Sequence, residues 1–195
     1  LRYVRILPRM LWSDVSRAVV AEVAPVAGEH VVDLGAGMGP ASVAAARSGA
    51  HVLAVDPTPF MRRMLGARRL LQRTRRRITV LDGAAEALPA ADGSIDAVWS
   101  VNTMHHWGRL DAAIGEIGRV LRPGGRLLLV DEDFDDPAHP AHERHARRAR
   151  HAHEFDDVDP AVVAERCLAA GFASATGAVE LIAGRPAKVV RAVRG

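Results

Sequence analysis

Cysteine and lysine are almost missing from this chain, aromatic residues are scarce, and no long apolar run occurs in it. Cys167 is the single cysteine in 195 residues, which excludes an internal disulfide and agrees with a reducing, cytoplasmic setting. No charge-free apolar stretch approaches the roughly 20 residues that cross a bilayer, so no membrane span is expected. The opening LRYVRILPRM carries arginines through its apolar part and does not read as a secretory signal. Aromatics make up only 4% of the residues, too few to suggest a stacking platform for single-stranded nucleic acid.

The positive charge that is present is carried almost wholly by arginine. The 26 basic residues include one lysine, Lys188, and outnumber 23 acidic residues to give a net +3. Clusters lie at Arg62-Arg63, from Arg68 to Arg77 and from Arg144 to Arg150. Such runs can meet phosphates, but without interleaved aromatics they read as solvated helix faces, and a nucleic-acid partner is not expected. A composition 49% hydrophobic and 25% charged is ordinary for a globular protein, and the length suits a single domain over residues 1–195.

Apolar periodicity then divides the chain. Ser13 and Asp14, with Val15, Val19, Val20 and Val23 behind them, read as a capped amphipathic helix ending before Pro25. HVVDLG, HVLAVD (His51 to Asp56), RITVL (Arg77 to Leu81), SIDAVWS (Ser94 to Ser100) and RLLLVD (Arg126 to Asp131) read as five strands. Helices between them are expected at Ala41 to Arg47, from Pro59 through Leu71, and from Leu110 to Leu121, where Pro123 and Gly124 stop the last. Asp159 and Pro160 open another helix that runs to Ala170. ATGAVELIAG and AKVVRAV then form a hairpin about the turn Gly184 to Pro186. Strands alternating with helices imply an α/β fold, a three-layer α/β/α sandwich.

The stretch VVDLGAGMGP, Val31 to Pro40, carries the first functional signal. A strand feeding a glycine-rich turn and a helix brings backbone amides close to a ligand at the carboxyl edge of a sheet. Counted from Gly35, the third position is Gly37, but the sixth is Pro40, where a dinucleotide fingerprint needs glycine; Gly39 takes the fifth. No lysine with serine or threonine follows, so the P-loop is excluded too. Asp33 beside the turn would repel a pyrophosphate, but it can accept from an ammonium or position water beside it. Asp56, 21 residues past Gly35 at the end of the second strand, can receive both hydroxyls of a ribose, a charge-assisted contact worth about 1.5–3 kcal/mol. A ligand with an amino-acid end, a ribose and no phosphate is S-adenosyl-L-methionine.

These residues resemble the class I S-adenosylmethionine-dependent methyltransferases, in the subgroup of ubiquinone-biosynthesis-type and small-molecule enzymes. The resemblance runs from about Val31 to Val193. VVDLGAGMG looks like the turn that holds the methionine portion, through Asp33, Gly35, Ala36, Gly37 and Gly39. HVLAVDPTPFM resembles the ribose and adenine motif, with Asp56, Pro57 and Met61. DGAAEALP resembles the stretch that closes over the adenine, with Gly83, Ala84 and Ala85; the family commonly has an aspartate at the position of Ala84, and weaker or rearranged adenine binding is expected. DAVWSVNTMHHW resembles the fourth-strand motif, adding Ser100, Val101 and Asn102, and LRPGGRLLLV resembles the turn and fifth strand. The resemblance implies a Rossmann-like, seven-stranded, mostly parallel sheet with a terminal antiparallel hairpin.

It also implies transfer of the cofactor's methyl group to a small or medium-sized acceptor through an oxygen, nitrogen or carbon nucleophile, by in-line displacement. A base is needed only if the acceptor must lose a proton, and His105 and His106, just past the fourth strand, are the catalytic candidates, with Trp107 as an apolar wall. The residues Asn102-Thr103-Met104-His105 lack the Asn-Pro-Pro-aromatic pattern of the members that methylate nucleic-acid amines. Residues 1–24 are expected to form a helical cap, and residues 131–159 a segment that covers the acceptor. His142 and His145 could pair on a helix, but among arginines they read as a solvated face, and no metal site is expected. A homodimer is compatible with the apolar N-terminal face. Two other readings stay open: a non-catalytic S-adenosylmethionine-binding or regulatory module on the same fold, and an NAD-dependent oxidoreductase, against which Pro40 and Asp33 argue.

Overall fold

Helix α1, Asp14–Val23, starts where Ser13 caps it, its side chain accepting from the Ser16 amide at 3.0 Å. It ends where Ala24 turns left-handed and its amide closes on the Val20 carbonyl. Val15, Val19, Val20 and Val23 share one face and are buried on the sheet, as their spacing dictates. The computed structural model describes residues 12–149 and 159–195. Residues 1–11 of the expected cap and 150–158 of the expected covering segment lie outside the described residues.

The chain continues through β1 (His30–Leu34), α2 (Pro40–Arg47), β2 (His51–Val55), α3 (Pro59–Leu70), β3 (Ile78–Leu81), β4 (Ile95–Val101), α4 (Leu110–Val120), β5 (Leu121–Glu132), α5 (His142–Ala149), α6 (Pro160–Ala169), β6 (Phe172–Ile182) and β7 (Arg185–Arg194). The strands form one sheet in the order β3-β2-β1-β4-β5-β7-β6. Strands β1 to β5 are parallel, and β7 enters antiparallel between β5 and β6. Order reverses between β1 and β4, so the loops leaving those two strands diverge and open a crevice at the carboxyl edge. The seven-stranded, mostly parallel α/β/α sandwich read from the sequence is therefore the fold.

Each sheet face has its own core. Val31, Val52, Trp99, Leu128, Val130 and Val189 meet α1, α2 and Leu65 of α3 on one side. Val32, Leu34, Val98, Leu127 and Leu129 meet Ile114 and Ile117 of α4 and Val163 and Cys167 of α6 on the other. Central strands buried on both faces must be continuously apolar, which is why β4 shows no alternation. Cys167 is a core residue whose burial pushes its thiol up to about 11. No helix among the described residues is long and apolar enough to cross a membrane.

Two boundaries differ from the sequence reading. Strand β5 starts directly after α4, with Leu121 paired to Ile95, and a register shift absorbs Pro123 and the glycine pair before Arg126 pairs with Ala97. Gly125 is required there, because a Cβ would lie 2.8 Å from the Arg122 carbonyl oxygen. The terminal hairpin turns at Ala183 and Gly184, both left-handed, so β7 takes in Arg185 and Pro186. Two left-handed residues make the tight turn whose twist matches that of the strands.

Strand β6 is held to α6 at Gly177, where a Cβ would stand 1.8 Å from the Pro160 carbonyl oxygen. Gly177→Ala must therefore push the start of α6 off the sheet, and a loss of about 1–3 kcal/mol is expected. Urea unfolding of the variant reads this as a lower midpoint at unchanged slope.

Candidate active site

Gly35, Gly37 and Gly39 all lie in the left-handed region, at φ 70°, 53° and 74°, so the turn after β1 is a tight coil that only glycine adopts without strain. The Gly35 and Ala36 amides both donate to the Val55 carbonyl, at 2.8 and 3.0 Å, which ties the turn to the end of β2. A Cβ on Gly35 would stand 2.3 Å from Thr103 Cγ2, and one on Gly39 only 2.1 Å from Leu65 Cδ1. Gly37, between them, would meet nothing nearer than the Gly35 carbonyl at 3.9 Å. The turn is thus walled by the β4 loop and by α3 while its middle stays open. That opening, with backbone on one side and α2 beginning at Pro40, fits the methionine end of the expected cofactor.

Asp33 lies beneath this turn. Its residue is 3% exposed, one carboxylate oxygen accepts from Trp99 Nε1 at 2.9 Å, and the other accepts from Ser42 Oγ. The sequence reading placed this carboxylate opposite an ammonium; its oxygens face Trp99 and Ser42 instead, because the strand turns the side chain into the core. Burial raises its pKa from 3.8 to about 6, against the lowering effect of the Ser42 and Trp99 hydrogen bonds. Asp33 therefore acts as the internal joint between β1, α2 and β4.

Asp56, at the end of β2, accepts from the Gly37 amide and from the Thr58 amide, each at 2.8 Å. Its carboxylate is thereby fixed at the end of β2 beside the turn, and there the ribose is expected, next to the methionine end at Gly37. Arg62, one turn into α3, donates to the Asp56 carbonyl at 2.8 Å and grips Asp82 with both terminal nitrogens, at 2.8 and 3.0 Å. Pro57 is exposed and Met61 half-buried beside them. After β3, Gly83 packs against Val55, Ala84 bridges to Ala87, and Ala85 is buried. The cofactor candidates of the first three strands thus converge on one edge.

The β4 loop is organised by the end of β5. Asp131, buried, accepts from the amides of Thr103 at 3.0 Å, Met104 at 3.4 Å and His105 at 3.0 Å, and pairs with His105 Nδ1 at 2.7 Å. Ser100 and Thr103 share a hydrogen bond between their hydroxyls. The His106 ring lies 4.1 Å from that of His105, and partial burial together with the neighbouring ring lowers its pKa. Asn102, expected on the cofactor, has φ 56° and directs its amide elsewhere: Nδ2 donates to Glu132 Oε1 at 2.8 Å, and Oδ1 accepts from the Glu132 amide at 2.7 Å. Left-handed backbone at Asn102 turns its side chain toward β5. Val101, before it, is half-buried at the end of β4.

Glu132 also accepts from Arg185 at 3.1 Å and meets His139 Nε2 at 3.1 Å. The Ala141 amide donates to His139 Nδ1 at 3.0 Å, so the ring proton sits on Nε2 and points at the carboxylate. His142 and His145 engage Phe134, by a contact to its carbonyl at 3.1 Å and by ring stacking at 5.2 Å. Sequence reasoning missed Arg62, Trp99 and Arg185, since side chains that act across 20, 66 and 53 residues leave no local spacing, and it missed Ser42 and His139, which act across nine and seven residues but belong to no motif.

The general methyltransferase domain model matches residues 32–129, which include both glycine-turn and histidine-loop elements. This chain belongs to that methyltransferase family. An uncharacterized methyltransferase of Mycobacterium bovis is 45% identical over 106 residues, covering 54% of this chain and 41% of its own length. A ubiquinone/menaquinone biosynthesis C-methyltransferase of Rubrivivax gelatinosus is 37% identical over 128 residues, covering 66% of this chain and 47% of its own. The methyltransferase domain thus spans less than half the length of these relatives. The solved structure of a SAM-dependent methyltransferase from Aquifex aeolicus superposes with a TM-score of 0.70 at 19% identity, covering 96% of this chain and 92% of that one, which speaks for the fold.

The raised Asp33 pKa has a signed consequence. Below pH ~4 the group is protonated in both folded and unfolded chains; between there and about 6 the folded methyltransferase domain keeps its proton longer, so rising pH removes about 3 kcal/mol of stability. Urea unfolding from pH 4 to 7 should show Asp33→Asn gaining on the wild type by that order. A pH-independent difference between the two would contradict the shift.

Proposed function

We propose that this methyltransferase domain binds S-adenosyl-L-methionine on the glycine turn and transfers its methyl group to a small or medium-sized acceptor, with His105 as proton acceptor and Asp131 as its positioning residue. The observation that carries the reading is the Asp131 carboxylate, which gathers three loop amides and the His105 ring at the edge where Thr103 abuts Gly35. The cofactor supplies an activated sulfonium methyl when bound. Asp33 keeps the turn joined to α2 and β4, the Gly37 region receives the methionine end, and Asp56 receives the ribose. Gly83, Ala84 and Ala85 offer backbone to the adenine, with Pro57 and Met61 beside it, and Ser100 and Val101 floor the site.

The chemistry asked of the chain is alignment, which is worth up to about 7–11 kcal/mol when nucleophile and methyl are held in line. With the Asp131 carboxylate accepting from Nδ1–H of His105, the other ring nitrogen, Nε2, is the one that would take a proton. An acceptor O–H, N–H or activated C–H would lose its proton to that nitrogen as the methyl bond forms. His106 and Trp107 shape the apolar side. The C-methyltransferase of ubiquinone/menaquinone biosynthesis among the relatives supports a carbon acceptor, which is the narrower form of this proposal.

S-adenosylhomocysteine at about 100 times its Kd should stabilise the domain by about 2.7 kcal/mol in thermal unfolding, and Asp56→Ala should abolish most of that gain. No shift at saturating ligand would reject the cofactor assignment and favour a fold that has lost it. With an acceptor in hand, His105→Gln should lower kcat by about 10²-fold or more and flatten the acidic limb of the pH profile, leaving S-adenosylhomocysteine affinity in place. An unchanged profile would mean that the acceptor needs no base; loss in His106→Gln alone would move the role to His106.

A further inference from the structure

The segment Pro57 to Leu81 contains eight arginines and no acidic residue. Four of them are tied to the body of the domain. Arg62 holds Asp82, Arg68 donates to the Met38 carbonyl at 3.0 Å, Arg69 to Ile78 at 2.8 Å, and Arg77 to Gly49 at 2.5 Å. The other four, Arg63, Arg73, Arg75 and Arg76, are exposed and pair with no carboxylate among the described residues. Between them in the chain stand Leu70 and Leu71, which are 63% and 85% exposed.

Helical spacing collects these groups. Arg63, Ala67, Leu70 and Leu71 recur at i, i+4, i+7 and i+8, so they share one outward face of α3, and all four are exposed. Leu71 closes the helix, and Arg73, Arg75 and Arg76 follow within the next turns. Two adjacent leucines protrude from the end of the helix with guanidinium groups before and after them. A solvated face does not need such a pair, since each leucine loses about 1.5–3 kcal/mol by remaining in water.

We propose that this face of α3 docks the methyltransferase domain on an anionic phospholipid bilayer. Leu70 and Leu71 would insert at the level of the headgroups, and Arg63, Arg73, Arg75 and Arg76 would lie on lipid phosphates. The guanidinium fork suits phosphate oxygens, and four unpaired positive charges match a negatively charged leaflet. Adjacent exposed leucines fit an acyl boundary and have no use on a nucleic-acid backbone, which would meet the arginines alone. The surface is separate from the glycine turn and the histidine loop, so the inference stands whatever the acceptor is.

The test is co-sedimentation of the full chain with phosphatidylcholine vesicles, with and without phosphatidylglycerol. Binding is expected only with phosphatidylglycerol and should weaken between about 0.1 and 1 M salt, as the Debye length falls from ~10 to ~3 Å. Replacing Arg73, Arg75 and Arg76 by glutamine should weaken it by about fivefold per residue. Leu70→Ser with Leu71→Ser should independently weaken it by about tenfold or more. Circular dichroism and the S-adenosylhomocysteine thermal shift establish that both variants are folded. Failure to bind phosphatidylglycerol vesicles would overturn the proposal. So would vesicle binding untouched by the leucine pair and competed equally by duplex DNA, which would make the patch a general phosphate contact.

Discussion

Carboxylates at the carboxyl ends of parallel strands hold this molecule's working edge together. Parallel strands end by releasing loops whose amides have lost the sheet ladder, and each needs another acceptor. Asp56 serves the glycine turn, Asp131 serves the histidine loop, and Glu132 serves Asn102 and reaches His139 and Arg185. Asp33 works one layer deeper, on Ser42 and Trp99. An ionised carboxylate accepting several amides forms stronger bonds than a neutral group would, and its geometry admits few alternatives. Order at the edge therefore comes from charge set on rigid strands, together with the few apolar loop residues, Met38 and Met104 among them, that are buried beneath it.

The two sides of the edge are built on different logic. On the side of β1, β2 and β3, backbone does the shaping: left-handed glycines, a helix start, and an open middle at Gly37. On the side of β4 and β5, side chains do it, through Asp131 and the Asn102–Glu132 pair. A fixed ligand suits the first arrangement, because glycine geometry tolerates no change. A variable ligand suits the second, since polar side-chain networks can be exchanged in parts. The match to the family model spans both sides, whereas identity to the curated relatives stops at about half their length.

Much of this could be read from the chain before any coordinates. The glycine spacing and the apolar runs placed the parallel strands, the helices between them and the terminal hairpin, because each signal is local and tied to backbone geometry. The direction of individual side chains was not legible. Asp33 and Asn102 were expected to face a ligand, and both face the protein, one drawn by a tryptophan 66 residues away and the other by a glutamate 30 residues away. The start of β5 was misplaced for a related reason: proline and paired glycines signal a break, and here the sheet accommodates the break as a bulge.

The contact between Gly35 and Thr103 sets a limit on how this scaffold can change. With 2.3 Å between a notional Cβ and the threonine methyl, position 103 cannot grow and position 35 cannot gain a side chain without moving the other. Laboratory diversification of this edge is therefore best confined to 106–107 and to the stretch after β5, with residue 103 left unchanged. Altering that threonine would reshape the glycine turn at the same time, so the turn and the histidine loop cannot be tuned apart at this one point.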